Sequence, residues 1–542
     1  MKKYISVLAL SALTLGSCSD FLDVQKEGVP TTDTYFNNDQ EAIDAVDALY
    51  YNFHDEETYG RDLYWEQGAT TDIVWGRGRD YNSLATFEYT GNEGPLTNVW
   101  RYTTGIVSRS NWVVQQLLNK EAKTPLTPVE KRSLGEAYFT RGWAHFLYAY
   151  RYGTPEQGVP FVRYEDFEGG YDNSIPVQRK SVMENFQFII DDMNKAIEYL
   201  PRFEEYDQDD RGRAHEAAAV GLKAKTYAYW ATYDKSKWAE VIKLVNELET
   251  TYQRGLADTF SELFSSDFNN FWNREYVWSI PGNGVNSGGS IFPGVVLDKG
   301  GWGRYNGWGQ NKPSLDIYNE MLKDGEGNER LRRSILEYGQ EFEYFGEKKL
   351  FTESVDIPTG FQINKYMDAF KHKDADVTGY VSGNGNRPTS RVNFPVIRFA
   401  ELLLFRAEAY LNTGNAAKAT EDINRLRKRA KLEPIEGTAT MANIYHERRC
   451  ELAFEFYDHL FDLKRWHLSG DATIKELAKK ELNTLPSVRI YEDSKDPNSS
   501  FEVKPYSAFK SKNTYQDYMI VFPYPSNEIT KSNGQLKQNA GY

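Results

Sequence analysis

Residues 399–434 read FAELLLFRAEAYLNTGNAAKATEDINRLRKRAKLEP, and this stretch decides the fold. Leu403, Ala407, Tyr410, Gly414, Ala419 and Ile423 fall at the offsets of a tetratricopeptide unit, a pair of antiparallel helices. The small residues let two helices approach, Gly414 permits the turn between them, and Pro434 lies beyond the second helix. Residues 216–248 form a weaker copy, with Ala224, Trp230 and Ala239 in similar roles. Residues 129–151 and 181–200 form another pair, and residues 97–120 add one more helix. Three or more such units stack into a continuous core. Nearer the start, the helical pattern begins at Asp39, with Ala42, Val46 and Leu49 on one face.

The chain of 542 residues is 40% hydrophobic and 26% charged, the composition of a folded globular protein. Its 64 basic residues stand against 78 acidic ones, a net charge of −14. That is the wrong sign for a general nucleic-acid binder, which must neutralise phosphates. Two cysteines rule out a disulfide scaffold. Aromatic residues reach 15%, and Tyr outnumbers Phe by 37 to 30, which places many rings at surfaces with a wet edge.

Residues 1–18, MKKYISVLALSALTLGSC, carry Lys2 and Lys3 ahead of an apolar run that ends at Leu15. The run is too short to span a bilayer and reads as a signal peptide, residues 1–17. Leu15-Gly16-Ser17-Cys18 resembles a lipoprotein cleavage site, with Cys18 as the acylated first residue. Residues 18–34 are polar and read as a lipid-anchored tether, and residues 35–542 as one domain. Cys450, within the apolar-periodic run CELAFEFYDHLF, reads as a buried small hydrophobe.

Two stretches break the helical rhythm. Residues 65–96 hold Trp65, Asp72, Trp75, Arg77, Arg79, Tyr81 and Asn82; residues 279–313 are dense in Gly and hold Trp302, Tyr305 and Trp308. Long loops in a compact protein are functional or disordered, and large aromatics argue against disorder. The tail, VFPYPSNEITKSNGQLKQNAGY from Val521, reads as an ordered extended coil.

Catalytic and metal patterns fail on inspection. His446-Glu447 starts like a zinc-protease helix, but position 450 is Cys where the second His belongs. Asp374-x-Asp376-x-Thr378-Gly379 starts like a calcium loop, but Gly385 stands where a bidentate Glu is required. There is no phosphate loop and no Gly-x-Ser-x-Gly elbow. The expectation is a protein that is not an enzyme and takes no metal or cofactor. Glu447, Arg448, Glu451, Asp462 and Arg465 form a dense charged group that reads as a partly buried ion-pair network between helices.

With these residues in view, the chain resembles the SusD/RagB family of surface lipoproteins from Bacteroidetes, along nearly its whole length. Cys18-Ser-Asp-Phe-Leu-Asp23 is a typical start. Gly135 to Ala144 (GEAYFTRGWA) resembles the family's EARFLRAWYYF helix, departing at Thr140 and Gly142. Gly153 to Val162 resembles the YGDVPLV turn with a short insertion, and Ile397 to Arg429 the RYAEVLLIRAEAYLR block. Ile444 to Trp466 matches the ER..ELAFEG.R..DL.RW block, departing at Phe456-Tyr457-Asp458, which bears on local packing. Phe522-Pro-Tyr-Pro and Gln538-Asn-Ala-Gly-Tyr542 resemble the family's ending.

The resemblance implies a mainly α fold, one domain of four tetratricopeptide-like helix pairs with an irregular, loop-rich remainder. It implies a lipid-anchored protein on the outer face of the outer membrane. Such a protein binds a glycan without cleaving it and caps a SusC-like TonB-dependent transporter as a lid. Sugars present flat apolar faces ringed by hydroxyls, so an aromatic platform with directional polar groups suits them. The loop-rich stretches 65–96 and 279–313 carry that mixture. Trp75, Trp302 and Trp308 are the expected stacking residues, with Tyr81 and Tyr305 behind them, and Asp72, Arg77, Arg79 and Asn82 are the polar candidates. A relative's alternative is a peptide-binding lid of the RagAB kind, with the same fold and anchor. A pure tetratricopeptide interaction protein would leave the aromatic loops unexplained.

Overall fold

Ala-rich, apolar-striped segments with clear start signals form the helices. The structure, a computed structural model, describes residues 35–53, 55–74, 83–167, 180–267, 272–282, 291–297, 302, 304–305, 307–352, 359–383, 388–506 and 511–542. Helix α1 (Asp39–Tyr51) buries Ala42, Ala45, Val46 and Leu49. Helix α2 (Gly94–Glu121) is followed by α3 (Pro128–Tyr152), which opens with a capping box: Thr127 accepts from the Glu130 amide, and Glu130 returns a bond to Thr127. Helix α4 (Val182–Tyr199) opens the same way with Ser181 and Glu184. Helices α5 (Glu216–Trp230) and α6 (Trp238–Thr250) follow. After the loop-rich half come α10 (Phe399–Asn412) and α11 (Ala416–Arg429), joined at Gly414, whose φ of +81° is the left-handed geometry that favours glycine.

These helices stack in one series: α2 on α3, α3 on α4, α4 on α5, α5 on α6, α6 on α10 and α10 on α11. Each pair leaves an apolar stripe that only the next pair covers, which is why the core is continuous. Helix α3 is buried almost throughout because it is sandwiched. Glycine makes the approach to α4 possible: a Cβ on Gly142 would lie 2.4 Å from Met193 Cε, and one on Gly135 2.9 Å from Leu200 Cγ. Gly142, a departure from the family pattern, is thus a contact residue. Arg141 between them donates to Asp192 at 2.9 and 2.6 Å, to Glu165 at 2.9 and 2.7 Å and to Asn111 at 2.8 Å.

The other half is built of short pieces. Helices α7 (Phe292–Val296), α8 (Leu315–Leu322) and α9 (Glu329–Ser334) precede α10; α12 (Met441–Glu451), α13 (His459–His467), α14 (Ala472–Leu482) and α15 (Ser526–Lys531) follow α11. The described strands pair only in twos. Strand β1 (Ile73–Val74) pairs antiparallel with β3 (Lys312–Pro313), and β2 (Tyr276–Ile280) with β10 (Phe394–Arg398), which leads straight into α10. Hairpin β5–β6 (Glu341–Tyr344, Glu347–Leu350) and strands β4 (Ile335–Glu337) and β7 (Phe361–Ile363) lie between, with β8 (Val381–Ser382) against β9 (Thr389–Ser390). Strands β11 (Ser487–Tyr491) and β12 (Phe501–Pro505) form a late hairpin. Among the described residues no helix is long and apolar enough to cross a membrane.

The tail departs from the extended coil expected of it, because it contains α15, with Pro525 at its N-cap. It is nonetheless tied down: Asn539 donates to the carbonyls of Tyr152 and Phe522, both at 2.8 Å. Phe456 packs on Phe292 at 4.9 Å, and Asp458 accepts from Tyr150 and, at 2.9 Å, from Arg151, so the Phe456–Asp458 departure does serve packing.

The charged group at 447–465 is a buried network, as read from the sequence. Arg448 donates to Asp462 at 2.6 Å and Arg465 to Glu408 at 2.6 and 2.7 Å; Arg398 bridges Glu275, Glu451 and Glu455. Burial alone would raise the Glu451 carboxyl, but Arg429, Arg398 and Arg330 outweigh it and bring it down from 4.5 to about 2. Asp368, also pushed up by burial, is brought to about 2 by Lys371 and Ser266. A carboxyl depressed in the fold contributes stability that is complete above its unfolded value and is lost as pH falls through its folded value. Below about pH 4.5 these two carboxyls are therefore expected to draw the urea midpoint down progressively toward about pH 2. A midpoint that stays level across that interval would contradict the network's role.

Candidate functional site

Strand pair β1–β3 brings the two irregular stretches together. Ile73 faces Pro313 and Val74 faces Lys312, so the chain that leaves Val74 does so beside the chain that arrives at Lys312. The join is locked on the core side. The Ser314 amide donates to the Asp72 carbonyl at 3.0 Å, and the Ser314 hydroxyl donates to the Thr71 carbonyl while capping α8. The arriving segment is pinned from behind: the Gly309 amide donates to the Leu297 carbonyl at 2.9 Å, and Gln362 donates to the Val296 carbonyl at 2.7 Å. A Cβ on Gly307 would lie 2.1 Å from the Leu297 carbonyl oxygen, so this approach requires glycine.

On this frame the expected site residues separate. Trp308 is half-buried, with the Arg61 guanidinium 5.5 Å from its ring centroid. Arg61 is itself steadied by Asp62 at 2.6 Å and by Glu56. Tyr305 is half-buried against Phe345 at 6.0 Å, and a Cβ on Gly383 would lie 3.4 Å from its hydroxyl. Burial and the nearby Asp376 raise the Tyr305 phenol, so it stays a neutral hydrogen-bonding group. Arg304 beside it is exposed, paired with Asp376 and 5.1 Å from the Phe345 ring. The segment thus offers two aromatic rings and Arg304 on one short stretch, with Arg61 and Asp376 brought to it from elsewhere in the chain.

Two expected residues belong elsewhere. Trp302 is 3% exposed, packed on Phe342 at 4.7 Å, Phe351 at 5.9 Å and Tyr344 at 6.1 Å. A ring enclosed by three others has no face to lend to a sugar, so its assignment as a stacking residue is corrected to the core. Asp72 is 5% exposed and receives Arg449 at 2.7 Å, with His459 Nε2 3.6 Å away; its carboxylate joins Thr71 and Arg449 in a buried scaffold. It is corrected from ligand group to framework. Trp75, Arg77, Arg79, Tyr81, Asn82 and Cys18 lie outside the described residues.

Asn311 went unnoticed in the sequence. It is fully buried three residues beyond Trp308, its backbone is left-handed (φ +59°), and neither side-chain amide atom has a hydrogen-bond partner. An unbonded buried amide costs on the order of 1–3 kcal/mol. Asn among 279–313 at a turn-prone position was its only signal.

A helix-pair stack carrying an aromatic, loop-built face is the class of molecule these features define. The comparisons agree. Residues 260–542 match the SusD family, and residues 20–228 match a family described as starch-binding associating with outer membrane. The chain belongs to the SusD family. It is similar to a SusD-like protein of Bacteroides ovatus, 26% identical over 490 residues, which is 86% of this chain and 83% of the other. Its fold is similar to that of a SusD-like protein from Bacteroides fragilis (TM-score 0.74, 20% identity, 94% of this chain and 98% of the other). It is also similar to a structure solved with a xylogluco-oligosaccharide (TM-score 0.71, 21% identity, 92% and 99%).

Proposed function

We propose that this chain is a cell-surface glycan-binding lipoprotein. It captures an oligo- or polysaccharide on the face around 302–313 and delivers it, as a lid, to a SusC-like TonB-dependent transporter in the outer membrane. It is held there by lipid on Cys18 and cleaves nothing. The observation that carries this reading is the β1–β3 junction, which joins the ends of both irregular stretches, with half-buried Trp308 beside Arg61 and half-buried Tyr305 next to exposed Arg304 on the arriving chain. An indole presents a flat apolar surface to the CH face of a pyranose, while guanidinium and amide groups bond its hydroxyls. The starch-binding description of the family matched by residues 20–228, and the relative solved with a xylogluco-oligosaccharide, support a sugar as the ligand. Trp75, Arg77, Arg79, Tyr81 and Asn82 follow β1 in the sequence and remain proposed ligand residues.

The test is electrophoresis of the protein lacking residues 1–18 through gels cast with neutral and acidic polysaccharides, with calorimetry of a peptide mixture beside it. Retardation by one polysaccharide and no heat from peptides is expected. Free migration on every polysaccharide, with heat from peptides, would replace this reading by the peptide-importing one.

A further inference from the structure

The near-miss at His446 acquires a meaning in the fold. His446 and Cys450 are four residues apart on α12, which places them one turn apart on one face. Asp324, just past the end of α8, reaches the same point. His446 Nε2 lies 3.2 Å from both carboxylate oxygens of Asp324 and 3.9 Å from Cys450 Sγ, and one donor atom from each residue lies within 4.8 Å of the other two. Zinc bonds of about 2.0–2.3 Å place tetrahedral ligand atoms roughly 3.3–3.7 Å apart. The two distances from His446 Nε2 therefore stand close to the spacing of one coordination shell, and the third donor pair lies within 4.8 Å.

The other face of the ring is also prepared. His446 Nδ1 lies 2.7 Å from Glu320 Oε1, the outer carboxylate contact that orients a metal-bound imidazole. Two of these residues come from each of two elements at the same spacing, Glu320 and Asp324 from α8 and its end, His446 and Cys450 from α12. We propose that Asp324, His446 and Cys450 bind one divalent ion of the zinc class, with Glu320 as the outer carboxylate and solvent completing the shell. A thiolate with imidazole and carboxylate selects zinc or cobalt over calcium or magnesium. On binding, the Cys450 thiol and His446 Nε2 each give a proton to solvent, while Nδ1 keeps its proton for Glu320. Asp324 also lines an open polar cleft of about 800 Å³ with Asn328, Arg332, Asn364 and Lys431, so one ligand of the three borders solvent-accessible space.

Arg330 and Arg427 donate to Asp324 at 2.7 and 3.0 Å and oppose the ion, but both also hold Glu447, so neither is stranded when a carboxylate oxygen turns to the metal. The second His–carboxylate cluster, Asp72, His459 and Glu481, lacks this opening: it is fully buried and its acids serve Arg449. The ion would clip α8, in the loop-rich half, to α12, and so steady the segment that begins at Ser314 directly behind the ligand face.

The test is titration of the chelator-treated full chain with Co²⁺, in a Cys18→Ser background so that Cys450 is the only thiol. One equivalent of Co²⁺ is expected to develop a thiolate-to-cobalt charge-transfer band in the near ultraviolet and to be displaced by Zn²⁺. Cys450→Ser is expected to lose the band, and His446→Gln to weaken binding at least about tenfold. Absence of the band at saturating Co²⁺ would overturn the proposal, as would the same titration curve in His446→Gln. The His446 variant keeps the test decisive should Cys450→Ser fail to fold.

Discussion

Trp308→Ala is expected to weaken binding of the retained polysaccharide by on the order of 2 kcal/mol, roughly thirtyfold, the scale of an aromatic anchor at the centre of an interface. The protein's melting temperature is expected to change less than the affinity, because the indole is only half-buried and its contact with the Arg61 guanidinium is worth about 0.5–1 kcal/mol at such a site. Trp308→Phe is expected to recover part of the affinity, since a smaller ring still offers an apolar face. Calorimetric titration with an oligosaccharide of the retained polymer reads all three. An affinity within twofold of the parent in Trp308→Ala would remove Trp308 from the site.

The second large effect concerns the fold. Arg141→Met is expected to cost about 3–5 kcal/mol in urea unfolding, because it strands a charge in the interior. Asp192 is fully buried; burial leaves its carboxyl above the ordinary value, and Arg141 is the main group opposing that push. Glu165 is better placed to turn to water, as its side chain is 22% exposed. The double variant Arg141→Met with Asp192→Leu is therefore expected to recover most of the loss, since an apolar pair of similar volume can replace a buried ion pair. A single variant as stable as the parent would mean that α3 and α4 are held by their apolar contacts alone.

The helical half of this architecture is legible because its signals are local. Small residues at fixed offsets and Gly414 at the turn are read within one or two helical turns. The same holds for the charged group of α12 and α13, where spacing along a helix sets the face. The site is only partly legible, because enclosure is decided by distant chain. Trp302 and Trp308 stand six residues apart in similar Gly-rich surroundings, yet hairpin β5–β6 and the residue after it, some forty residues on, close over the first and not the second. Asp72 meets its partner Arg449 across 377 positions. Asn311 shows its unbonded amide only once the fold has buried it. In the tail, α15 has only six residues, too few for a helical period to show beyond the Pro-rich run that precedes it.

Core packing by Trp302 and the proposed ligand contact by Trp308 are opposite duties, and one paired measurement separates them. Glycan affinity and melting temperature are read together for Trp308→Ala and Trp302→Leu. The predicted result is a loss of affinity with the smaller change in melting for the first, and a lowered melting temperature with parental affinity in the folded protein for the second. Parental affinity in Trp308→Ala beside lost affinity in a stably folded Trp302→Leu would contradict the placement of the site.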